Sequence, residues 1–157
     1  MNESTLPPAG LLRRVGALIY DTLVVMAILM IAGGVVVAVL EACVAAGILS
    51  YAPYQDAGDL LSHHPLWSPV YTLYLACAWI YFFVFFWTRG GQTLGMRAWK
   101  LVVCNPDGTR ISATQALIRL ATSVFGLGNL TVPFDPKKRA FQDMWAKTCV
   151  VVLPKVK

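Results

Sequence analysis

Apolar residues run from Val15 to Ala46 with only Asp21 and Glu41 as charged interruptions. A signal-peptide core is about 7–15 apolar residues long. This run is about twice that, so it predicts an uncleaved transmembrane helix over about 13–46. At about 1.5 Å of rise per residue it exceeds a hydrocarbon core of about 30 Å. It must tilt, or leave its first turns in the headgroup layer. From Glu41 to Ser68 the chain carries Pro53, Asp56, Gly58, Asp59, His63, His64 and Pro65, and no Lys or Arg. This predicts an outer loop over 47–67. Ser68-Pro69 supplies a helix start, with Ser as cap and Pro at the first position. The apolar, aromatic run that follows predicts a second span over about 68–88. Tyr71 and Trp87 near its ends suit the two bilayer interfaces.

Beyond the second span the pattern changes. Arg89–Gly95 is a polar, Gly-rich loop, Lys100–Cys104 reads as a strand, and Asn105-Pro106-Asp107-Gly108 is a turn. Thr109–Ile111 is expected to pair back locally, giving a hairpin-like element within a strand and turn region over 96–111. Ser112-Ala113-Thr114-Gln115 is a capping-box pattern. It opens a helix over 112–130, with Gln115, Arg119, Thr122, Ser123 and Gly126 on one stripe and apolar residues elsewhere. A C-terminal segment over 137–153 ends in a second strand at Thr148–Leu153. Residues 1–9 read as a disordered or interfacial tail, and 10–153 as a single membrane domain.

Composition supports a bilayer setting. Of the 157 residues, 57% are hydrophobic and 13% charged, about half the charge of a soluble domain. The expected fold class is an all-α membrane protein: two transmembrane helices, a third amphipathic or re-entrant helix, and a short cytoplasmic hairpin-like element. The net charge of +5 is assigned to anionic lipid, not nucleic acid, because no basic stripe is interleaved with stacking aromatics. Orientation follows Lys and Arg. If the third helix does not cross, all 13 of them lie on one side, and both termini are cytoplasmic. A bacterial cytoplasmic membrane is the expected location. Cys43, Cys77, Cys104 and Cys149 show no metal-ligand spacing, and no disulfide framework is expected. His63-His64 reads as polar loop. Neither metal nor cofactor is expected.

Asp21 is the most informative residue. A carboxylate two turns inside a span costs about 2.5–3.5 kcal/mol on insertion scales. Arg14 lies seven residues earlier on nearly the same face, about 10 Å away along the axis. Side chains tilt toward the helix N-terminus, so Arg14 leans away, and each residue should find its partner elsewhere. Arg119, Lys138 or Arg139 is expected to meet Asp21, and Asp143 to meet Arg14. Gly34, Ala38, Ala42 and Ala46 form a small-residue ridge suited to close helix approach. Gln92-Thr93-Leu94-Gly95 has the donors to cradle an anion but lacks a phosphate-loop signature. Lys137-Lys138-Arg139 suits lipid headgroups. No nucleophile–base pair is visible, so the chain is not expected to be an enzyme.

Three blocks together resemble a known pattern. They are Arg14-Val-Gly-Ala-Leu-Ile-Tyr-Asp21, Gly91-Gln92-Thr93-Leu94-Gly95-Met96-Arg97 and Gln142-Asp143-Met-Trp-Ala-Lys-Thr148. Their order and setting are similar to the RDD family of membrane proteins, over about Gly10 to Leu153. The resemblance implies Arg14, Asp21 and Asp143 as signature residues. Gln92, Thr93, Gly95, Arg119, Lys138, Arg139 and Thr148 are their candidate supports. This chain departs from the pattern at Gln142, where histidine is frequent and where an amide does not titrate. It departs also at Tyr20, where an aliphatic residue is usual, and at Lys147, where a small one is. The resemblance implies a component of transport or ion homeostasis. The alternative is a non-catalytic assembly, scaffold or stress-related protein whose Arg and Asp residues fix helix docking. Expected partners are membrane lipids and either further copies of the chain or other membrane proteins.

Overall fold

Helix α1 (Leu11–Ala45) holds no proline over 35 residues and stops where glycine allows it to. Gly47 adopts φ +71. The Gly47 N–H then reaches the Val44 carbonyl and the Ile48 N–H reaches that of Cys43, the paired termination that a left-handed residue makes available. The computed structural model describes residues 6–154, so residues 1–5 of the expected tail lie outside the described residues. After α1 come α2 (Ala57–His63), α3 (Trp67–Gly90), α4 (Leu94–Ala98), β1 (Leu101–Cys104), α5 (Ala113–Ser123), a 3₁₀ stretch (Val124–Phe134), α6 (Phe141–Trp145) and β2 (Cys149–Val152). Contacts divide the chain into two units, Val25–Trp79 and the combination of Met1–Val24 with Ile80–Lys157.

In the Val25–Trp79 unit the segment expected as a loop over 47–67 contains a helix that its polar residues concealed. The Asp56 side chain accepts from the Asp59 N–H at 2.8 Å and so caps α2. The imidazole Nδ1 of His64 accepts from the N–H groups of Leu66 and Trp67. This cap starts α3 at Trp67 instead of at Ser68-Pro69. Pro69 then sits in the first turn, where its missing N–H costs nothing. The α1–α3 contact uses Gly33, where an added Cβ would lie 2.5 Å from the Tyr71 hydroxyl. The expected ridge of Gly34, Ala38, Ala42 and Ala46 is exposed instead.

The other unit contains a repeated motif. α4 and α6 are each five residues long, each is followed by one cap residue, and each then has a lysine in the left-handed region: Lys100 at φ 56 and Lys147 at φ 54. A four-residue strand follows in both copies, directly after Lys100 and after Thr148 in the second. β1 and β2 pair antiparallel, with Leu101 opposite Val152 and Cys104 opposite Cys149. This corrects the expected local hairpin. Pairing of Asn105 to Thr109 closes only the turn, because Thr109 and Arg110 are exposed and polar whereas β2 offers apolar residues to bury.

Both sheet edges are covered, which blocks pairing with another chain. The Pro7 carbonyl accepts from Val152 and the Ala9 N–H donates to Val150, both at 2.9 Å. Residues 7–9 of the expected tail are therefore structured against β2. Gly91 accepts from the Val103 N–H at 2.8 Å on the opposite edge.

The segment expected as one helix over 112–130 is two pieces. Ser112 and Gln115 form the anticipated capping box, but α5 ends at Ser123. Val124 (φ 46), Phe125 (φ 53) and Gly126 (φ 98) break the helix before the 3₁₀ stretch. Gly126 lies where an added Cβ would strike the Leu18 side chain of α1, so the break brings the backbone close to α1.

Candidate functional site

One face of α1 organises the site. Arg14, Ala17, Asp21 and Val25 are buried at a spacing of three to four residues, while Leu12, Ile19 and Leu23 on other faces are exposed. The polar members of this stripe bind different copies of the repeated motif.

Asp21 faces α4. Its carboxylate accepts from the Thr93 hydroxyl at 2.5 Å and from the Gly95 N–H at 2.8 Å. Thr93 also caps α4 by accepting from the Met96 N–H at 3.2 Å. The Gln92–Gly95 loop thus receives an anion on its donors, and that anion is a side chain of the same protein. Gly95 permits the approach: an added Cβ would clash with the Ala17 carbonyl and lie 2.8 Å from the Asp21 carboxyl carbon. The expected partners Arg119, Lys138 and Arg139 do not meet Asp21, and among the described residues it forms no ion pair. The Thr93 hydroxyl and the Gly95 N–H hold it instead.

Arg14 faces α6. Its guanidinium contacts Asp143 Oδ2 at 2.7 Å, and it donates to the carbonyls of Ala9 and Lys138, both at 3.1 Å. Asp143 is 1% exposed. Its other oxygen receives Arg119 at 2.6 Å, and its Oδ2 also caps α6 by accepting the Ala140 N–H at 2.9 Å. Burial by itself would push the Asp143 carboxyl up. Arg119, Arg14 and the Ala140 N–H outweigh it and hold the group below its ordinary value. Arg119 also donates to the Thr148 hydroxyl, and its guanidinium lies 5.3 Å from the Trp87 ring centroid, a cation–π contact that helps offset the second cation.

Of the remaining sequence candidates, Lys138 joins the Arg14 cluster through its carbonyl, while Gln92 and Arg139 bond elsewhere. Gln92 donates to the Leu101 carbonyl at 2.6 Å and ties the loop to β1. Lys138 contributes its backbone, in the left-handed region at φ 51. Arg139 pairs with Asp135 through two side-chain bonds of 2.9 and 3.1 Å. That contact holds the Asp135 carboxyl down to about 2 and raises Arg139. Gln142 donates to Asn129 at 3.1 Å in the interior, a contact with no sequence signal, since Asn129 stands in an apolar run. Arg139, Lys137 and Lys147 line a cavity of about 350 Å³ with Pro106, Asp143, Met144, Thr148 and Cys149.

A buried arginine and a buried aspartate thus lie two turns apart on a helix long and apolar enough to cross a bilayer, with a second aspartate closing the arginine's site. The family model for RDD matches residues 8–147, and the chain belongs to the RDD family. It is an integral membrane protein by that membership and by three segments long and apolar enough to cross a bilayer: Leu11–Ala45, Trp67–Gly90 and Ala113–Phe134. No curated protein and no solved structure matches the chain.

Proposed function

We propose that this protein is a non-enzymatic component of transport or ion homeostasis in a bacterial cytoplasmic membrane, with two crossings and both termini inside. The observation that carries the reading is Asp21, a buried carboxylate inside a spanning helix that is held by a hydroxyl and an N–H without a cation. Such a group answers to a proton or small cation more readily than one locked in an ion pair.

Several features support two crossings. α5 has 11 residues and rises about 16 Å, half a hydrocarbon core. The 3₁₀ stretch after it exposes Phe125, Leu127, Leu130 and Phe134, which suits insertion into one interface. The absence of Lys and Arg between Glu41 and Ser68 suits an outer loop. Two spans enclose little volume, so a pathway needs several copies or a partner membrane protein. The exposed Gly34, Ala38, Ala42 and Ala46 stripe favours close association.

The second reading, a scaffold whose charges fix docking, is favoured by the Arg14–Asp143–Arg119 cluster, in which every charge holds an element in place.

Asp21→Asn separates the two readings. An amide still accepts from Gly95 and bonds Thr93, so the fold should survive. Proton and cation flux in liposomes should fall at least tenfold in that variant relative to wild type. Unchanged flux, or none in wild type, overturns the transport reading. Reporter fusions after Trp87, after Leu130 and at Lys157 test the topology, and an outward C-terminus overturns it.

A further inference from the structure

Cys104 and Cys149 stand directly opposite each other on β1 and β2, with their sulfurs 3.3 Å apart. Opposed residues on antiparallel strands have Cα atoms about 4.5 or 5.5 Å apart. Both values lie within the range of about 4.4–6.8 Å that a disulfide spans. The sulfurs must close by about 1.3 Å to reach a bond of about 2.05 Å, a distance that side-chain rotation supplies.

The two thiols differ in access. Cys104 is 0% exposed. Cys149 is half-buried and lines the cavity of about 350 Å³ together with Lys137, Arg139 and Lys147. Arg139 is engaged by Asp135, and Asp143 in the cavity wall is held by two arginines. Lys137 and Lys147, both exposed, therefore set the charge at the mouth. A thiol in an electropositive, partly open pocket beside a second thiol is the arrangement that reacts, whereas an isolated buried thiol is inert. The side-chain contact with Cys104 also lowers the pKa of Cys149, ahead of burial, which raises it.

We propose that Cys149 and Cys104 form a redox-active dithiol, with Cys149 as the attacking and Cys104 as the resolving thiol, and that its oxidant is a small anionic disulfide admitted by the basic cavity. The Cys149 thiolate attacks one sulfur of the small disulfide. An S–S bond forms to Cys149, the original S–S bond breaks, and one small thiolate leaves. Cys104, losing its proton to that thiolate, then attacks Cys149 Sγ and expels the second small thiolate, which takes up a proton from water that the Cys149 thiol first released. The two cysteines lose two electrons, and the small disulfide gains them as two thiols. The new bond ties β1 to β2, and with them the two copies of the motif that hold Asp21 and Arg14. A reducing cytosol keeps such a pair open, so closure reports oxidising stress.

The test uses the full chain in detergent or proteoliposomes, with Cys43→Ser and Cys77→Ser as background. Oxidised glutathione is the anionic probe and hydroxyethyl disulfide the neutral one. Oxidised glutathione should remove together both thiols that maleimide labels after denaturation and lower the intact mass by two hydrogens, and dithiothreitol should reverse this. Adding Cys104→Ser should leave a lasting glutathione adduct on Cys149, and adding Cys149→Ser should leave Cys104 unreactive. Lys137→Glu with Lys147→Glu should slow the reaction with oxidised glutathione about tenfold, while hydroxyethyl disulfide reacts at the unchanged rate. A stable adduct on Cys149 with Cys104 present overturns the dithiol, as does retention of both free thiols. A charge variant that changes the rate with both probes by the same factor overturns the basic entrance. The mass measurement on the background protein decides the dithiol even where a further variant fails to fold.

Discussion

Arg14 and Asp21 sit two turns apart on one buried face of α1 and bind equivalent ends of a repeated helix–lysine–strand motif. Arg14 reaches α6 through Asp143, and Asp21 reaches the start of α4 through Thr93 and Gly95. The two charges do not meet. Each anchors α1 to one copy, and the β1–β2 pairing joins the copies.

This arrangement makes Asp143 the most sensitive charge. Asp143→Asn leaves Arg14 and Arg119 buried beside a neutral amide, and should cost about 3–5 kcal/mol, the range for breaking a buried pair. Arg14→Met should cost less, because Arg119 still faces Asp143. An Arg14→Asp/Asp143→Arg swap should fail to restore stability, since the new arginine would face Arg119. Thermal unfolding in detergent and accumulation in membranes read all three. Recovery by the swap would contradict the shared-carboxylate geometry.

Acid should weaken the protein in a defined window. Asp143 and Asp135 both have carboxyls held below their unfolded value of about 3.9. Below that value the unfolded chain binds more protons than the folded one, so their contribution is full above about pH 4 and is lost as pH falls. For Asp135 the loss runs from about 4 down to about 2. Melting temperature followed from pH 7 to pH 2 should fall below about 4. Asp135→Asn should flatten the lower part of that curve, and an unchanged curve would remove Asp135 from the account.

Gly95 should tolerate no side chain. Its Cβ would strike the backbone carbonyl of Ala17, which cannot rotate away, so Gly95→Ala should cost about 1–3 kcal/mol or more. Gly34→Ala meets nothing within 4 Å and should gain about 0.5–1 kcal/mol, since glycine inside a helix costs that much in chain entropy. Equal melting temperatures for the two variants would refute the α1–α4 contact.

Lys100 bears a Cβ in a left-handed position that glycine prefers. Lys100→Gly should raise stability by up to about 1 kcal/mol, because the relief of about 1–2 kcal/mol outweighs glycine's extra chain entropy. Lys100→Ala should change little. If alanine matches glycine, the lysine's charge or reach is responsible and its backbone is not.

Elements with one dominant physical cause were readable from the chain. The helices expected over about 13–46 and 68–88 match α1 and α3 within two residues, because a long apolar run without interior proline or a charge cluster favours an unbroken helix. The Ser112–Gln115 capping box is also local. What escaped depended on distant partners. Thr109–Ile111 looked able to pair with β1, but strand choice was decided by which segment could bury apolar residues. The end of α5 at Ser123 had no local breaker except Gly126, whose reason is Leu18 of α1. The small ridge at Gly34–Ala46 suggested a packing face, while the packed glycine is Gly33.

For the site, the place of Asp21 two turns inside an apolar run was enough to expect a charge within the membrane, and the resemblance singled out Arg14 and Asp143 as its companions. Sequence also separated Arg14 from Asp21 by helix geometry alone, since side-chain tilt is a local property. The expected Arg14–Asp143 pair forms, whereas the partners of Asp21 and the second arginine on Asp143 were decided only in three dimensions. A buried carboxylate accepts equally from a guanidinium or from a hydroxyl and an N–H, and which of these arrives depends on where α4 and α6 dock. Gly95, with no Cβ, let α4 reach Asp21, and Arg119 was left to share Asp143 with Arg14.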